Sequence, residues 1–167
     1  MTALQPGDQA PDFERPDQHG RPFRLSSLRG KPVVVFFYPR AFTPACTAQA
    51  CGFRDAYEAF TEAGAAVVGV STGTVDGATG QEAFARRFAL PFTLVADDGS
   101  IRSAWGVPKT AWLLPGRVTY VLDPAGRVVM VFSSQLRVGA HIERALSAVR
   151  AMTVPKPPVK PEQPSRP

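Results

Sequence analysis

The chain has 167 residues, of which 44% are hydrophobic and 20% charged, a composition and length typical of one globular domain with a sizeable core. No apolar stretch approaches the roughly 20 residues of a membrane span, so no membrane segment is expected. The N-terminus has neither the basic nor the apolar region of a secretory signal, which predicts a cytoplasmic protein. The net charge of +5 comes from scattered basic residues without a compact stripe, so no nucleic-acid partner is expected.

The first third of the chain predicts a hairpin, a strand and a long helix. Residues 13–25 form two short stretches around a turn at Asp17–Gly20, which indicates a β-hairpin. Residues 33–38 are all apolar, as expected for a central strand covered on both faces. Residues 43–63 show helical spacing of large side chains, and Gly64 follows as the residue that ends the helix.

The rest of the chain alternates between strands and helices. The apolar patterns predict strands at 65–70, 92–96, 118–122 and 128–132, and helices at 81–88, 100–105 and 139–152. The turn at Asp123–Gly126 joins the last two strands as a hairpin. This order predicts an α/β domain with a central mixed β-sheet flanked by helices and preceded by an N-terminal β-hairpin.

A change in composition divides the chain in two. Residues 1–153 carry all the predicted elements and form one domain. Residues 154–167 are rich in proline and lysine and have almost no large apolar side chains. This composition predicts a disordered or polyproline-like tail, with a ligand for a proline-binding module as the alternative.

The two cysteines, Cys46 and Cys51, lie in the same predicted helix. Cys46 stands where a strand passes into a helix N-terminus, where free N–H groups and the helix dipole favour a thiolate. Five residues along a regular helix separate the Cα atoms by about 8.6 Å. A disulfide needs roughly 4.4–6.8 Å. A bond between the two sulfurs therefore requires local unwinding of the helix.

Spacing alone leaves several roles open for this pair. Buried cysteines are often inert core residues. Metal ligation is a second possibility, although His19 and His141 are distant in sequence and form no ligand pattern. Disulfide exchange is a third, although that chemistry typically uses Cys-x-x-Cys.

The residues around Cys46 favour redox chemistry. Pro39, Thr43 and Cys46 form the motif Pro-x-x-x-Thr-x-x-Cys, and in this respect the chain resembles the peroxiredoxins of the AhpC/TSA superfamily. Residues 42–55 resemble the Q subgroup, also called bacterioferritin comigratory protein, whose members often place a second cysteine five residues after the first. Residues 67–71 and 117–123 extend the similarity, which runs from about residue 6 to residue 152. The resemblance implies a thioredoxin-like fold.

The resemblance also implies a role for each site residue. Cys46 would be the peroxidatic nucleophile, and Cys51 would resolve its sulfenic acid as an intramolecular disulfide. Thr43 would bind the peroxide and the thiolate through its hydroxyl, and Arg117 would favour the thiolate and polarise the O–O bond. Pro39 would shield the thiolate from bulk water.

The implied activity is a thiol-dependent peroxidase that reduces hydrogen peroxide and organic hydroperoxides without a metal, haem or flavin cofactor. Thioredoxin or a similar dithiol would regenerate it, and a monomer is expected, with a dimer as the alternative. Gln49 stands where many relatives have Glu, and it is left out of the catalytic set. Arg40 and Arg54 are interpreted as solvated side chains.

Two other functions compete with the peroxidase. One is a thiol–disulfide oxidoreductase acting on protein substrates, and the other is a redox-sensing binding module whose first helix changes on oxidation. The aromatic residues Phe42, Trp105 and Trp112 are interpreted as core or surface side chains, with an apolar entrance for organic peroxides as the alternative.

Overall fold

The computed structural model of the protein describes residues 2–110 and 114–153. The tail predicted at 154–167 and Trp112 lie outside the described residues. The strands are β1 (Glu14–Pro16), β2 (Pro22–Arg24), β3 (Val33–Phe37), β4 (Ala66–Thr72), β5 (Thr93–Asp97), β6 (Lys109–Thr110), β7 (Leu114–Pro115), β8 (Val118–Leu122) and β9 (Val128–Ser133). The helices are α1 (Pro44–Asp55), α2 (Tyr57–Glu62), α3 (Gln81–Arg87), α4 (Ser100–Trp105) and α5 (Val138–Thr153), with a 3-10 helix at Leu25–Leu28.

A five-stranded mixed sheet in the order β5-β4-β3-β8-β9 forms the centre of the molecule. β3 pairs in parallel with β4, and β4 with β5, whereas β8 is antiparallel to both β3 and β9. β1 and β2 form a separate antiparallel hairpin. The predicted α/β class, mixed sheet and N-terminal hairpin are confirmed.

β3 is buried along its whole length because both faces of the sheet are covered. Alternate side chains of a strand point to opposite faces, and β3 accordingly contributes to two cores. Phe36 stacks on Phe53 of α1, with ring centroids 4.4 Å apart, in the core that α1, α2, α3 and α5 cover. Phe37 packs against Trp105 of α4, with centroids 5.3 Å apart, in the core on the other face.

The helix predicted at 43–63 consists of two helices. Ala56, with φ −92° and ψ 0°, interrupts it between α1 and α2. Hydrogen bonds from Ala56 N–H to the Gly52 carbonyl (3.1 Å) and from Phe60 N–H to the Ala56 carbonyl (3.2 Å) span the interruption. Helical hydrogen-bond spacing thus continues through the interruption, and the two helices differ in what they pack against, since α1 packs mainly on α5 whereas α2 packs on β4 and α5. Gly64, at φ +78°, ends α2 as predicted.

A buried histidine attaches α5 to the sheet. His141 Nε2 donates to the Ser134 carbonyl oxygen at 2.8 Å, so its Nδ1 is unprotonated and accepts from the Thr119 hydroxyl, also at 2.8 Å. The pKa of His141 is lowered from 6.5 to about 4, because burial and, to a smaller extent, the nearby Arg117 charge outweigh the hydrogen bond to Ser134, which raises it. The imidazole is therefore neutral in the folded protein at neutral pH.

We expect this histidine to make folding sensitive to mild acid. The unfolded chain takes up a proton near pH 6.5, whereas the folded protein does so only near pH 4. Stability from this group is therefore complete above pH 6.5 and is lost as the pH falls towards 4. Between pH 7 and 4.5, the free energy of unfolding measured by urea denaturation should fall by about 2 kcal/mol more in the wild type than in His141→Gln. Parallel stability curves for the two proteins would contradict this assignment.

Candidate active site

The junction between β3 and α1 is held in an unusual backbone conformation. Phe42 has φ +64°, a left-handed conformation that non-glycine residues rarely adopt. Its ring contacts the rings of Phe84 and Phe88, with centroids 5.2 and 6.1 Å away. Thr43 then occupies the N-cap position and Pro44 the first helical position, where proline's missing N–H removes no helical hydrogen bond. The junction thus sets where the first turn of α1 begins.

The first turn of α1 presents Cys46 to a buried arginine. The Cys46 side chain is 1% exposed, and its Sγ accepts a hydrogen bond from Arg117 Nη2 at 3.4 Å. Arg117 immediately precedes β8, and the pairing of Phe37 with Val118 brings it beside the end of β3. A fixed guanidinium charge stabilises negative charge on a neighbouring sulfur. The N-terminus of α1 adds backbone N–H groups that lack helical partners.

Gln49 is the second partner of Arg117. Its Oε1 accepts a hydrogen bond from Arg117 Nη1 at 2.6 Å, and its side chain is completely buried one turn after Cys46. Among the described residues, neither Gln49 Nε2 nor Arg117 Nε has a hydrogen-bond partner. Because the amide is neutral, it orients the guanidinium without neutralising its charge. Gln49 is therefore part of the site, although the sequence did not predict it there.

An open cleft of about 800 Å³ lies over Cys46. Pro39, Thr43 and Arg117 contribute to its walls. The remaining lining residues are Arg40, Ala45, Cys46, Thr72, Gly73, Pro115, Gln135 and Leu136. The Thr43 hydroxyl donates to the Arg40 carbonyl at 2.9 Å, so its oxygen lone pairs remain available as acceptors. The cleft has room for a small molecule beside the sulfur.

The structure brings four of the five predicted site residues together and leaves one apart. Pro39, Thr43, Cys46 and Arg117 line the same cleft, whereas Cys51 lies farther along α1, partly exposed. Both cysteines are free thiols. Their place in one helix agrees with the expectation that no disulfide forms while that helix is intact.

Trp105 and Phe42 agree with their interpretation as core side chains, whereas Arg54 differs from its interpretation as a solvated side chain. Trp105 is fully buried in the core away from the cleft, and Phe42 packs on α3, so neither residue lines the entrance. Arg54 is not simply solvated, because its Nη1 donates to the Phe88 carbonyl at 2.8 Å. In the part of the chain that the structure describes, no group of three or more His, Cys, Asp or Glu side chains is placed to hold a metal ion.

No helix within residues 2–110 and 114–153 is both long enough and apolar enough to cross a membrane.

Comparison with known proteins identifies the family. Residues 6–131 match the model of the AhpC/TSA family. The chloroplastic peroxiredoxin Q of Sedum lineare is 48% identical over 148 residues, which cover 87% of this chain and 78% of that protein.

Solved structures of related proteins share the fold. Peroxidoxin BcpB from Mycobacterium tuberculosis superposes with a TM-score of 0.81 at 40% identity, covering 89% of this chain and 98% of that one. The bacterioferritin comigratory protein of Xanthomonas campestris superposes with a TM-score of 0.79 at 26% identity, covering 92% and 99%. The predicted thioredoxin-like fold is confirmed. With Cys46 and Cys51 as its two cysteines, the chain belongs to the AhpC/TSA family and, within it, to the peroxiredoxin Q group of thiol peroxidases.

Proposed function

We propose that this protein reduces hydrogen peroxide and organic hydroperoxides through a Cys46 thiolate, a Cys46–Cys51 disulfide and an external dithiol. The observation that carries the proposal is the 3.4 Å hydrogen bond between Arg117 and the Cys46 sulfur at the base of an open cleft. A buried sulfur beside a buried, permanently charged guanidinium suits a thiolate that attacks a small substrate.

In the first step, the thiolate attacks one peroxide oxygen and the O–O bond breaks. The sulfur is oxidised to a sulfenic acid, and the peroxide is reduced to an alkoxide or hydroxide that takes up a proton. Thr43 accepts a hydrogen bond from the peroxide O–H, since its own hydrogen is donated to Arg40. The free N–H groups of Ala45 and Cys46 in the first helical turn and the Arg117 guanidinium stabilise the charge on the leaving oxygen.

The walls of the cleft support a substrate larger than hydrogen peroxide. Pro39, Ala45, Pro115 and Leu136 give it an apolar side, against which an alkyl group loses contact with water. The Xanthomonas campestris relative is described as having alkyl peroxide reduction activity. We propose the same substrate class here.

In the second step, the Cys51 thiolate attacks the Cys46 sulfenic sulfur. A disulfide forms, and the hydroxyl leaves as water after protonation. The cysteines are five residues apart in α1, about 8.6 Å between Cα atoms on a regular helix, so the turns between Pro44 and Cys51 unwind first.

The second half of α1 is anchored against this rearrangement. Phe53 is fully buried against Phe36, and Arg54 is bonded to the carbonyl of Phe88. Gly52 lies so close to Ile142 of α5 that an added Cβ would be 3.0 Å from Ile142 Cδ1. These contacts favour unwinding that is confined to the N-terminal turns.

In the last step, thioredoxin or a similar dithiol reduces the disulfide to two thiols and is itself oxidised to a disulfide. We propose that the enzyme works as a monomer. The plant relative is described as chloroplastic, which is a property of that protein, and a cytoplasmic location for this chain stays our prediction.

The test of the proposed function is a rapid mix of the reduced protein with one equivalent of hydrogen peroxide. We expect both thiols to disappear together, the mass to fall by two hydrogens and the product to be monomeric. Loss of the thiols no faster than that of free cysteine would refute the peroxidase mechanism. Dimers linked by a disulfide would refute the intramolecular resolution step.

Replacement of the second cysteine should separate the two chemical steps. Cys51→Ser should react once with peroxide at nearly the wild-type rate and then accumulate a sulfenic acid that dimedone traps. With excess peroxide it should proceed to sulfinic acid, because no thiol resolves it. Ala48→Ser, which adds a hydroxyl at an exposed position of the same helix, is the control and should turn over normally. Normal turnover of Cys51→Ser with thioredoxin would remove Cys51 from the cycle.

A further inference from the structure

A second buried arginine lies behind the active site. Among the described residues, Arg102 and Arg117 are the arginines that are buried, and Arg102 is 9% exposed. It belongs to α4, whose first turn is held by the Asp97 carboxylate through the N–H groups of Ile101 (3.0 Å) and Arg102 (3.1 Å). Its guanidinium lies over the Phe37 ring, 5.5 Å from the centroid. The residue is therefore fixed at both its backbone and its head group.

The guanidinium bridges the two segments that lead into the cleft. Arg102 Nη2 donates to the Tyr38 carbonyl at 2.6 Å, and Nη1 donates to the Gly116 carbonyl at 3.0 Å. Tyr38 is the residue before Pro39, and Gly116 is the residue before Arg117. Each of these two hydrogen bonds therefore ends on the residue that immediately precedes a cleft residue in the chain.

The two hydrogen bonds of Arg102 lie just beyond the end of the pairing between β3 and β8. The β3–β8 ladder ends at the pair of Phe37 and Val118. It does not continue past Tyr38 because Pro39 has no N–H to donate. The planar guanidinium holds several donors in a fixed fork, so it links the two carbonyls beyond the last ladder pair.

We propose that Arg102 is a positioning residue that fixes the spacing between the Pro39 and Arg117 segments, and hence the distance from the Arg117 guanidinium to the Cys46 sulfur. This inference rests on the proposed peroxidase function. Gly116 packs closely on the Pro108 carbonyl, because any side chain at position 116 would collide with that oxygen. This close packing limits the movement of the segment that the Arg102 hydrogen bond holds. Arg102 also adds a positive charge near the sulfur. Burial lowers the pKa of Arg102 below its ordinary value, and the charges of Asp97 and Cys46 offset only part of that shift.

The test compares Arg102→Met, which removes both hydrogen bonds and the charge, with Arg102→Lys, which keeps the charge but has no planar fork. Two quantities are measured in a Cys51→Ser background. One is the second-order rate of reaction with hydrogen peroxide. The other is the thiolate fraction of Cys46 at neutral pH, obtained from the pH dependence of alkylation. The control is Arg15→Met, since Arg15 also donates to a main-chain carbonyl, that of Ala96, outside the cleft.

For Arg102→Met we expect the peroxide rate to fall about tenfold or more, because a small misplacement of a charged group is costly in the transition state, and the thiolate fraction to fall with it. Arg102→Lys should keep the thiolate fraction but lose rate. The proposal would be overturned if a folded Arg102→Met protein kept both the peroxide rate and the Cys46 thiolate fraction within about twofold of wild type.

If Arg102→Met fails to fold, Arg102→Lys decides the question, and an unchanged peroxide rate in that variant overturns the proposal. A merely structural role would lower the melting temperature and leave both quantities unchanged. Alkylation uses no peroxide. If the wild type fails to react with peroxide, the proposed function fails, and alkylation of Arg102→Met still tests the bridge.

Discussion

Replacing the nucleophile, Cys46→Ser, is expected to lower peroxide consumption by at least about 10³-fold, since a serine hydroxyl does not ionise at neutral pH and cannot replace a thiolate. The substitution exchanges one atom at a buried position, and Cys51 remains. Peroxide consumption with a thioredoxin system measures the loss, and thiol counting shows whether Cys51 reacts alone.

The same variant also tests the competing functions. If Cys46→Ser kept about a tenth of the wild-type rate of peroxide consumption or more, Cys51 would carry the peroxide chemistry and the assignment of Cys46 as nucleophile would be wrong. A protein disulfide oxidoreductase would differ, because the wild type would consume no peroxide but would exchange disulfides with a protein substrate. A redox sensor would differ in another way, because the wild type would oxidise once and then fail to turn over with a reductant.

Removing the guanidinium, Arg117→Met, should have the second largest effect. We expect the peroxide rate to fall about 10²–10³-fold, equivalent to roughly 3–4 kcal/mol of transition-state stabilisation. The variant loses the hydrogen bonds to the sulfur and to Gln49, and with them the positive charge that contacts the Cys46 sulfur. The rate is measured by single mixing, and the thiolate fraction by alkylation across the pH range.

Two further variants are compared with Arg117→Met. Arg127→Met removes an exposed arginine that immediately precedes β9, and it should change the rate by less than about twofold. Gln49→Glu keeps the hydrogen bond to Arg117 but neutralises its charge, so it should also reduce the thiolate fraction. A wild-type thiolate fraction in Arg117→Met would contradict a role for the guanidinium at the sulfur.

The order of elements could be predicted because each element carries its own local signal. The apolar run at 33–38 and the turn at Asp123–Gly126 can be recognised from the sequence without tertiary information. The interruption at Ala56 leaves no such signal, because alanine is a strong helix former and α1 and α2 pack against different elements. The short pair of β6 and β7 was also absent from the sequence prediction, since two-residue strands leave no periodic pattern.

For the candidate site too, the residues with a local sequence signal could be predicted and those without one could not. The motif residues Pro39, Thr43 and Cys46 are close in sequence, so their pattern could be recognised. Gln49 and Arg102 act through partners that are distant in the chain, and their role depends on burial. A weak signal for Arg102 did exist, since it lies next to Ile101 and three residues before Trp105, a spacing that places it beside the inner face of a helix.

The backbone of Phe42 has a consequence for how the enzyme responds to excess peroxide. A non-glycine residue held at φ +64° stores about 1–3 kcal/mol, which is released when the first turn of α1 opens. The ring contacts with Phe84 and Phe88 stabilise the folded form, so the backbone strain and the ring contacts act in opposite directions on the free energy of opening. In the catalytic cycle that we propose, this balance would set how long a sulfenic acid on Cys46 persists before Cys51 reaches it. Stronger aromatic contacts would make the enzyme easier to inactivate by its own substrate, and weaker contacts would make it more robust.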